Sequence, residues 1–191
     1  MKKWNEKKDL LEKLLLDTSI PKFKEGDYSL LVKTILKLVS DSNIVVSQTS
    51  IKVISNLIKG LKKDYEPYVK DTVPLVIAKL RDRKLEADCC ACLDNLLESV
   101  SIEDILDEIL AGLNDKGPAG RKCTAAFLEK AILVTYIDVL TRVAPSYLAQ
   151  LVKNADDTNS ECRDAALGAL GAFKGRFGES YMSKYLSELN P

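Results

Sequence analysis

The stretch KLVSDSNIVVSQTSIKVISNLIKG, residues 37–60, decides the fold of this 191-residue chain. Apolar residues close one helix at Val39, four polar residues interrupt at Ser40–Asn43, and a second amphipathic run follows. In both runs apolar residues recur at intervals of three and four, the period of a helix with one buried face. The same reading along the chain predicts helices over 4–16, 27–39, 43–63, 65–80, 83–98, 102–113, 118–133, 145–153, 159–175 and 179–188. Almost no strand-like alternation survives, so the chain reads as all-α. Ser101 before IEDILDEIL, with Asp104 three residues on, gives a capping-box pattern for the helix at 102. Pro118 and Pro145 suit the first turn of a helix, where a missing N–H costs nothing.

The polar breaks near Trp4, Asp41, Asp82, Asp115 and Asp157 are spaced by roughly 33–42 residues, a period of helical-hairpin repeats. Each is followed by a related helix face: SIKVISNLI, CCACLDNLL, CTAAFLEKAI and CRDAALGALGAF. Small residues such as Ala91, Ala125, Ala126, Ala165 and Ala166 allow close packing between neighbours. One hairpin buries only part of its apolar stripe, so hairpins stack. The expectation is an α-solenoid of HEAT-like hairpins forming one flat paddle over residues 1–191, with the first repeat lacking its first helix. A coiled coil is disfavoured because no strict heptad persists.

Bulk composition narrows the function classes. Lys plus Arg and Asp plus Glu are equal at 28 each, so no global basic field advertises nucleic acid. No apolar run approaches the ~20 residues of a bilayer span, and the charged N-terminus has no secretory h-region. Five cysteines, an odd number, do not suit a closed disulfide framework, and a reducing cytosol is the natural compartment. The Cys-x-x-Cys spacing of Cys89 and Cys92 invites a zinc reading. The chain has no histidine, however, a structural zinc site wants four ligands, and Cys123 and Cys162 belong to other repeats. Buried apolar thiols are the expectation, with no metal and no cofactor. Phosphate-binding and nucleophile-elbow motifs are absent and no histidine serves acid–base work, so no enzyme is expected.

Stacking in register places the turns inside each hairpin along one edge. Those turns, Trp4–Lys8, Asp41–Val45, Asp82–Lys84, Asp115–Lys122 and Asp157–Arg163, hold the sole tryptophan and many of the cations. The acids of residues 103–108 fall on a helix instead. An aromatic anchor among basic residues has the makeup of a protein-binding hot spot for an acidic partner. Each residue also has a plainer reading. Trp4 could pack on its own repeat, and Asn43 could simply cap a helix. Val45 could be core, Lys84 and Lys116 could be solvated, and Arg163 could pair with Glu161 or Asp164.

The ordered set KKWNEKKDLLE, GDYSLLVKTILKLVSDSNIVV, VPLVIAKLRDRK, DKGPAGRK and SECRDAALGALG resembles the TOG domain of the ch-TOG family of microtubule polymerases. The likeness is greatest to the second TOG domain of those proteins. The resemblance implies a monomeric module that binds the curved αβ-tubulin dimer and serves at microtubule ends, in the cytoplasm at spindle poles or centrosome. It implies no nucleic-acid or membrane partner. It assigns tubulin contact to Trp4, Lys7, Lys8, Asn43, Val45, Arg81, Lys84, Lys116, Lys122 and Arg163. The first three turns would meet β-tubulin and the last two α-tubulin. The fourth turn departs from the family in carrying Gly117 and Gly120, which implies a more flexible bend. The rival expectation is a generic HEAT scaffold for another protein.

Overall fold

The computed structural model describes residues 4–183, and its contacts divide the chain into two compact units that meet in sequence at Val100 and Ser101. The first unit contains α1 (Trp4–Asp17), α2 (Ser29–Val39), α3 (Ile44–Leu61), a 3-10 segment (Lys62–Tyr68), α4 (Val69–Lys79), α5 (Glu86–Asn95) and a 3-10 turn (Leu96–Glu98). The second contains α6 (Leu106–Leu113), α7 (Pro118–Val134), α8 (Ile137–Asn154) and α9 (Ser160–Phe177). Residues 179–183 are helical too, and the remainder of the helix expected over 179–188 lies outside the described residues.

Each unit has two layers. In the first, α1, α3 and α5 pack side by side, while α2 and α4 form the other layer. In the second, α7 packs on α9 and α6 on α8. The hairpins α2–α3, α4–α5, α6–α7 and α8–α9 are therefore the repeats, and the arrangement is that of HEAT-like solenoids. Burial explains why. Along α3, Val46, Ile51, Val53, Ile54, Leu57 and Ile58 are fully buried, so this helix is wrapped by α1, α2 and α5. Polar ties run between repeats as well: Asn56 Nδ2 donates to the Leu15 carbonyl, Asn95 Nδ2 to Ser55 Oγ, and the buried Asn154 Nδ2 to the Leu113 carbonyl.

Three sequence expectations fail for local reasons. The helix expected at 102 begins at Leu106, because Ser101 Oγ accepts from the Glu103 amide and residues 102–105 form a turn. Residues 65–80 are not one helix: Lys62 turns left-handed at φ 52°, and Pro67 sits in the 3-10 segment, where its lost N–H matters less. Conversely, Pro145 does not start a helix but lies inside α8, which begins at Ile137. Leu140, Val143, Ala144, Tyr147, Leu148 and Leu151 are all buried, so tertiary packing outweighs the proline penalty there.

At the far end of α7 from its bend, Arg176 Nη1 donates to the Ile132 and Leu133 carbonyls and Nη2 to that of Thr135. This clamp fixes the α7–α8 connection, which leaves Leu133, Val134, Tyr136 and Ile137 exposed.

The α6–α7 contact is close at Gly112, where a Cβ would overlap Thr124 Oγ1 and lie 3.0 Å from its Cγ2 and 3.1 Å from its Cβ. Thr124 is buried and has nowhere to go. Gly112→Ala gains about 1 kcal/mol of helix propensity but overpacks this contact by about 1–3 kcal/mol. The expected outcome is net destabilisation in urea unfolding. Unchanged or raised stability would show that the two helices can separate freely.

Candidate functional site

Every hairpin bend is built on an aspartate whose carboxylate captures the amide two residues further on. Asp41 Oδ1 accepts from Asn43 at 2.9 Å and Asp82 Oδ1 from Lys84 at 3.0 Å. Asp115 Oδ1 accepts from Gly117 at 2.6 Å and Asp157 Oδ1 from Asn159 at 2.9 Å. This local bond is why aspartate favours turns. Two bends then end in an asparagine that caps the next helix. Asn43 Oδ1 accepts from Val45 and Val46, and Asn159 Oδ1 from Cys162. The α6–α7 bend instead uses extended Gly117 as the cap and Pro118 as the first helical residue. Gly120 is buried, and a Cβ there would come within 2.7 Å of Asp115 Cβ, so this glycine lets the aspartate fold tightly over the helix.

In the first unit three of the sequence-assigned segments adjoin. Lys7 Nζ, on the first turn of α1, lies 2.7 Å from Asp41 Oδ2 at the α2–α3 bend. That hydrogen bond, then the Asn43 amide, hold the Asp41 carboxyl below its usual range. A groove of about 580 Å³ separates the α2–α3 and α4–α5 bends, with Ser42 and Ile44 on one side and Lys79, Arg81 and Arg83 on the other. Trp4 is 49% exposed and Val45 36%, while the neighbouring Val46 is fully buried. Val45 is thus displayed by a cap that orients its backbone but makes no use of its side chain. Arg81 and Lys84 are exposed. Lys8 pairs with Glu12 at 3.4 Å along its own helix, a surface pair worth about 0–1 kcal/mol.

The second unit joins its two bends more tightly. Arg121 Nε and Nη2 reach Asp157 Oδ2 and Oδ1 at 2.6 and 3.1 Å, and Arg121 Nη1 donates to the carbonyls of Asp115 and Lys116. Arg121 hydrogen bonding, followed by the Asn159 amide, depresses the Asp157 carboxyl. Lys122 Nζ meets Glu161 Oε2 at 2.9 Å. Lys116 is exposed. Arg163 pairs with neither Glu161 nor Asp164 among the contacts described. Its Nη1 instead donates to the Asp157 and Thr158 carbonyls at 2.8 and 3.2 Å. The bends are therefore not purely cationic, since each carries a carboxylate already spent on shaping it.

Elsewhere, Glu103 accepts from Arg142, which holds that carboxyl low. Burial pushes the Cys89 thiol up to about 12, and the fully buried Cys92 is raised further still. Both are free thiols, poorly suited to shed the proton that a metal–sulfur bond requires. Among the described residues no three His, Cys, Asp or Glu side chains gather in the manner of a metal site.

No protein-family profile matches the chain. The Dictyostelium discoideum centrosomal protein 224 and the Drosophila melanogaster protein mini spindles are each 29% identical to it, aligned over 100% of the chain. The chain spans only 10% of the length of either. A structure of microtubule plus-end tracking by XMAP215, CLIP-170 and EB1 superposes on the whole chain with TM-score 0.87 at 28% identity, covering 81% of that neighbour. This chain is a homologue of the ch-TOG family. A second structure, of tubulin recruitment by polymerases with TOG domain arrays, superposes with TM-score 0.87 at 18% identity, covering 41% of that chain and showing the shared TOG fold.

In this TOG homologue the assigned residues fall into two sets. Trp4, Lys7, Lys8, Asn43, Val45, Arg81 and Lys84 belong to the first unit, and Lys116, Lys122 and Arg163 to the second. Sequence reasoning missed the work of the four aspartates and of Arg121. Their signal was present: an acid opens each bend, and in the last two an arginine follows six residues later.

A group whose carboxyl is depressed on folding contributes stability that is full above its unfolded value and is lost as pH falls through the folded one. Asp157 and Asp41 are such groups. Asp157→Asn should cost about 1–2 kcal/mol at neutral pH, by loss of charge-assisted hydrogen bonds. As pH falls below about 4, where an unfolded carboxylate protonates, toward the depressed folded value, the gap between the two melting curves should narrow. A difference that persists unchanged at pH 3 would contradict the ionic origin.

Proposed function

We propose that this chain is a non-catalytic module that binds the curved, unpolymerised αβ-tubulin dimer through its hairpin bends. It would do so as part of a microtubule polymerase or plus-end regulator. The observation that carries the reading is the exposure of Trp4 at the start of α1, one turn before Lys7, which reaches Asp41 at the α2–α3 bend. The 28% identity to the plus-end-tracking structure across the whole chain supports it. In this reading the first unit meets β-tubulin, the second meets α-tubulin, and the whole of residues 1–191 acts as one monomeric domain. The site is Trp4, Lys7, Lys8, Asn43, Val45, Arg81, Lys84, Lys116, Lys122 and Arg163. A ligand that touches both subunits at once distinguishes curved from straight dimers by its differential affinity for the two states. The names of the relatives, centrosomal and spindle proteins, support a place on the cytoplasmic microtubule cytoskeleton.

The rival, an interaction scaffold for another protein, draws support from the exposed Leu133, Val134, Tyr136 and Ile137 at the opposite end of α7 from its bend. The two readings part in one experiment. Trp4→Ala and Arg163→Ala should each weaken binding of purified αβ-tubulin by at least ~2 kcal/mol, measured as a Kd by sedimentation or calorimetry. Tyr136→Ser should leave it unchanged. Tubulin affinity unaltered in the Trp4/Arg163 double variant would remove the proposed edge.

A further inference from the structure

Two arginines in the second unit occupy the same place in successive repeats, six residues after the aspartate that opens the bend: Arg121 after Asp115 and Arg163 after Asp157. Both use Nη1 in the same way. Arg121 donates to the carbonyls of Asp115 and Lys116, and Arg163 to those of Asp157 and Thr158. Arg121 then uses its remaining edge, Nε and Nη2, to grip Asp157 with both oxygens. Its side chain is only 18% exposed and that of Asp157 only 9%, so neither presents much surface to a partner. The chain of bonds is continuous. It runs from the Lys116 carbonyl through the Arg121 guanidinium to the Asp157 carboxylate, and the Asp157 carbonyl receives the Arg163 guanidinium.

We propose that Arg121 and Asp157 are positioning residues that make Lys116 and Arg163 one coupled anchor for the partner rather than two independent contacts. The inference rests on the tubulin reading above. Lys116 supplies the carbonyl that Arg121 holds, so the course of the exposed lysine is fixed from within. Arg163 is held by the backbone of the residue whose side chain Arg121 holds, so the second cation is fixed by the same clamp. A planar guanidinium can serve three acceptors on two bends at once, which a lysine ammonium at the end of a flexible stem cannot match in geometry. Preorganising two contacts in this way reduces the ordering each must undergo on binding, so they reinforce each other. The first unit has no counterpart at this position. Asp41 and Asp82 are followed six residues later by Ser47 and Asp88, which bond elsewhere, Ser47 to the Val39 carbonyl and Asp88 to Gln48.

The test is a mutant cycle on αβ-tubulin affinity, with folding followed by far-UV circular dichroism and melting. In the wild-type background, Lys116→Ala and Arg163→Ala should each weaken binding, and together should cost about threefold or more less than the product of their separate effects. In the Arg121→Lys background, which keeps the charge, that shortfall should vanish and the two losses should multiply. Binding by Arg121→Lys itself should fall several-fold, mainly through faster dissociation. Asp157→Asn breaks the same relay from the other side, keeps the side-chain shape and an acceptor for the Asn159 amide, and should abolish the coupling equally. A merely stabilising role would lower the melting temperature and leave the coupling untouched. Persistence of the coupling in both backgrounds, or no effect of Lys116→Ala or Arg163→Ala alone, overturns the inference while tubulin binding stands. Failure of the wild-type chain to bind tubulin overturns the binding reading and this inference with it.

Discussion

The bond from an aspartate carboxylate to the amide two residues ahead recurs at every hairpin bend, and the edge of each unit depends on it. It fixes the first amide that would otherwise be unpaired as the chain turns. At three of the four bends the residue whose amide is held, Asn43, Gly117 or Asn159, is also in the extended conformation that starts a helix. The second carboxylate oxygen is then available to the neighbouring repeat. Lys7 takes it at Asp41, and Arg121 takes both oxygens at Asp157. One side chain thus shapes its own bend and ties it to the preceding one, so local conformation and repeat stacking stabilise each other.

This double use changes how the charge of the edge should be understood. A chain with equal numbers of acids and bases shows no net field, and its bends hold both signs in close pairs. Several of the side chains there are also held in place. Arg163 and Arg121 have donors committed to backbone carbonyls, and Val45 stands on a capped first turn. Side chains so restrained lose less freedom when a partner arrives, and interface affinity depends more on that than on buried area or total charge.

Much of the fold was legible in the sequence because burial follows the helical period so closely. The apolar stripe of residues 44–61 is the wrapped face of α3, and the polar breaks at Asp41, Asp82, Asp115 and Asp157 are the bends. What escaped was set by groups distant in the chain or by backbone geometry. The left-handed turn at Lys62 carries no glycine to announce it, and α8 runs through Pro145 because six buried side chains hold it in place. Of the site, the exposed members could be read from composition at the bends, but their support could not. The sequence around Arg163 suggested a pairing with Glu161 or Asp164, one turn away at most. The contact made instead is with main-chain oxygens, which leave no trace in side-chain identity. Arg121 looked like one more surface cation, and its partner lies 36 residues further on.

The six-residue interval between the opening aspartate and the arginine has a final consequence for loop length. Connecting segments usually tolerate insertion and deletion. Here a single added or removed residue between Asp115 and Arg121, or between Asp157 and Arg163, would swing the guanidinium by about 100° around its helix. It would then point away from the carbonyls it now holds. A change of spacing at these two bends would thus cost the clamp where an exchange of exposed side chains would not, a metric restriction on surface segments that otherwise look free to vary.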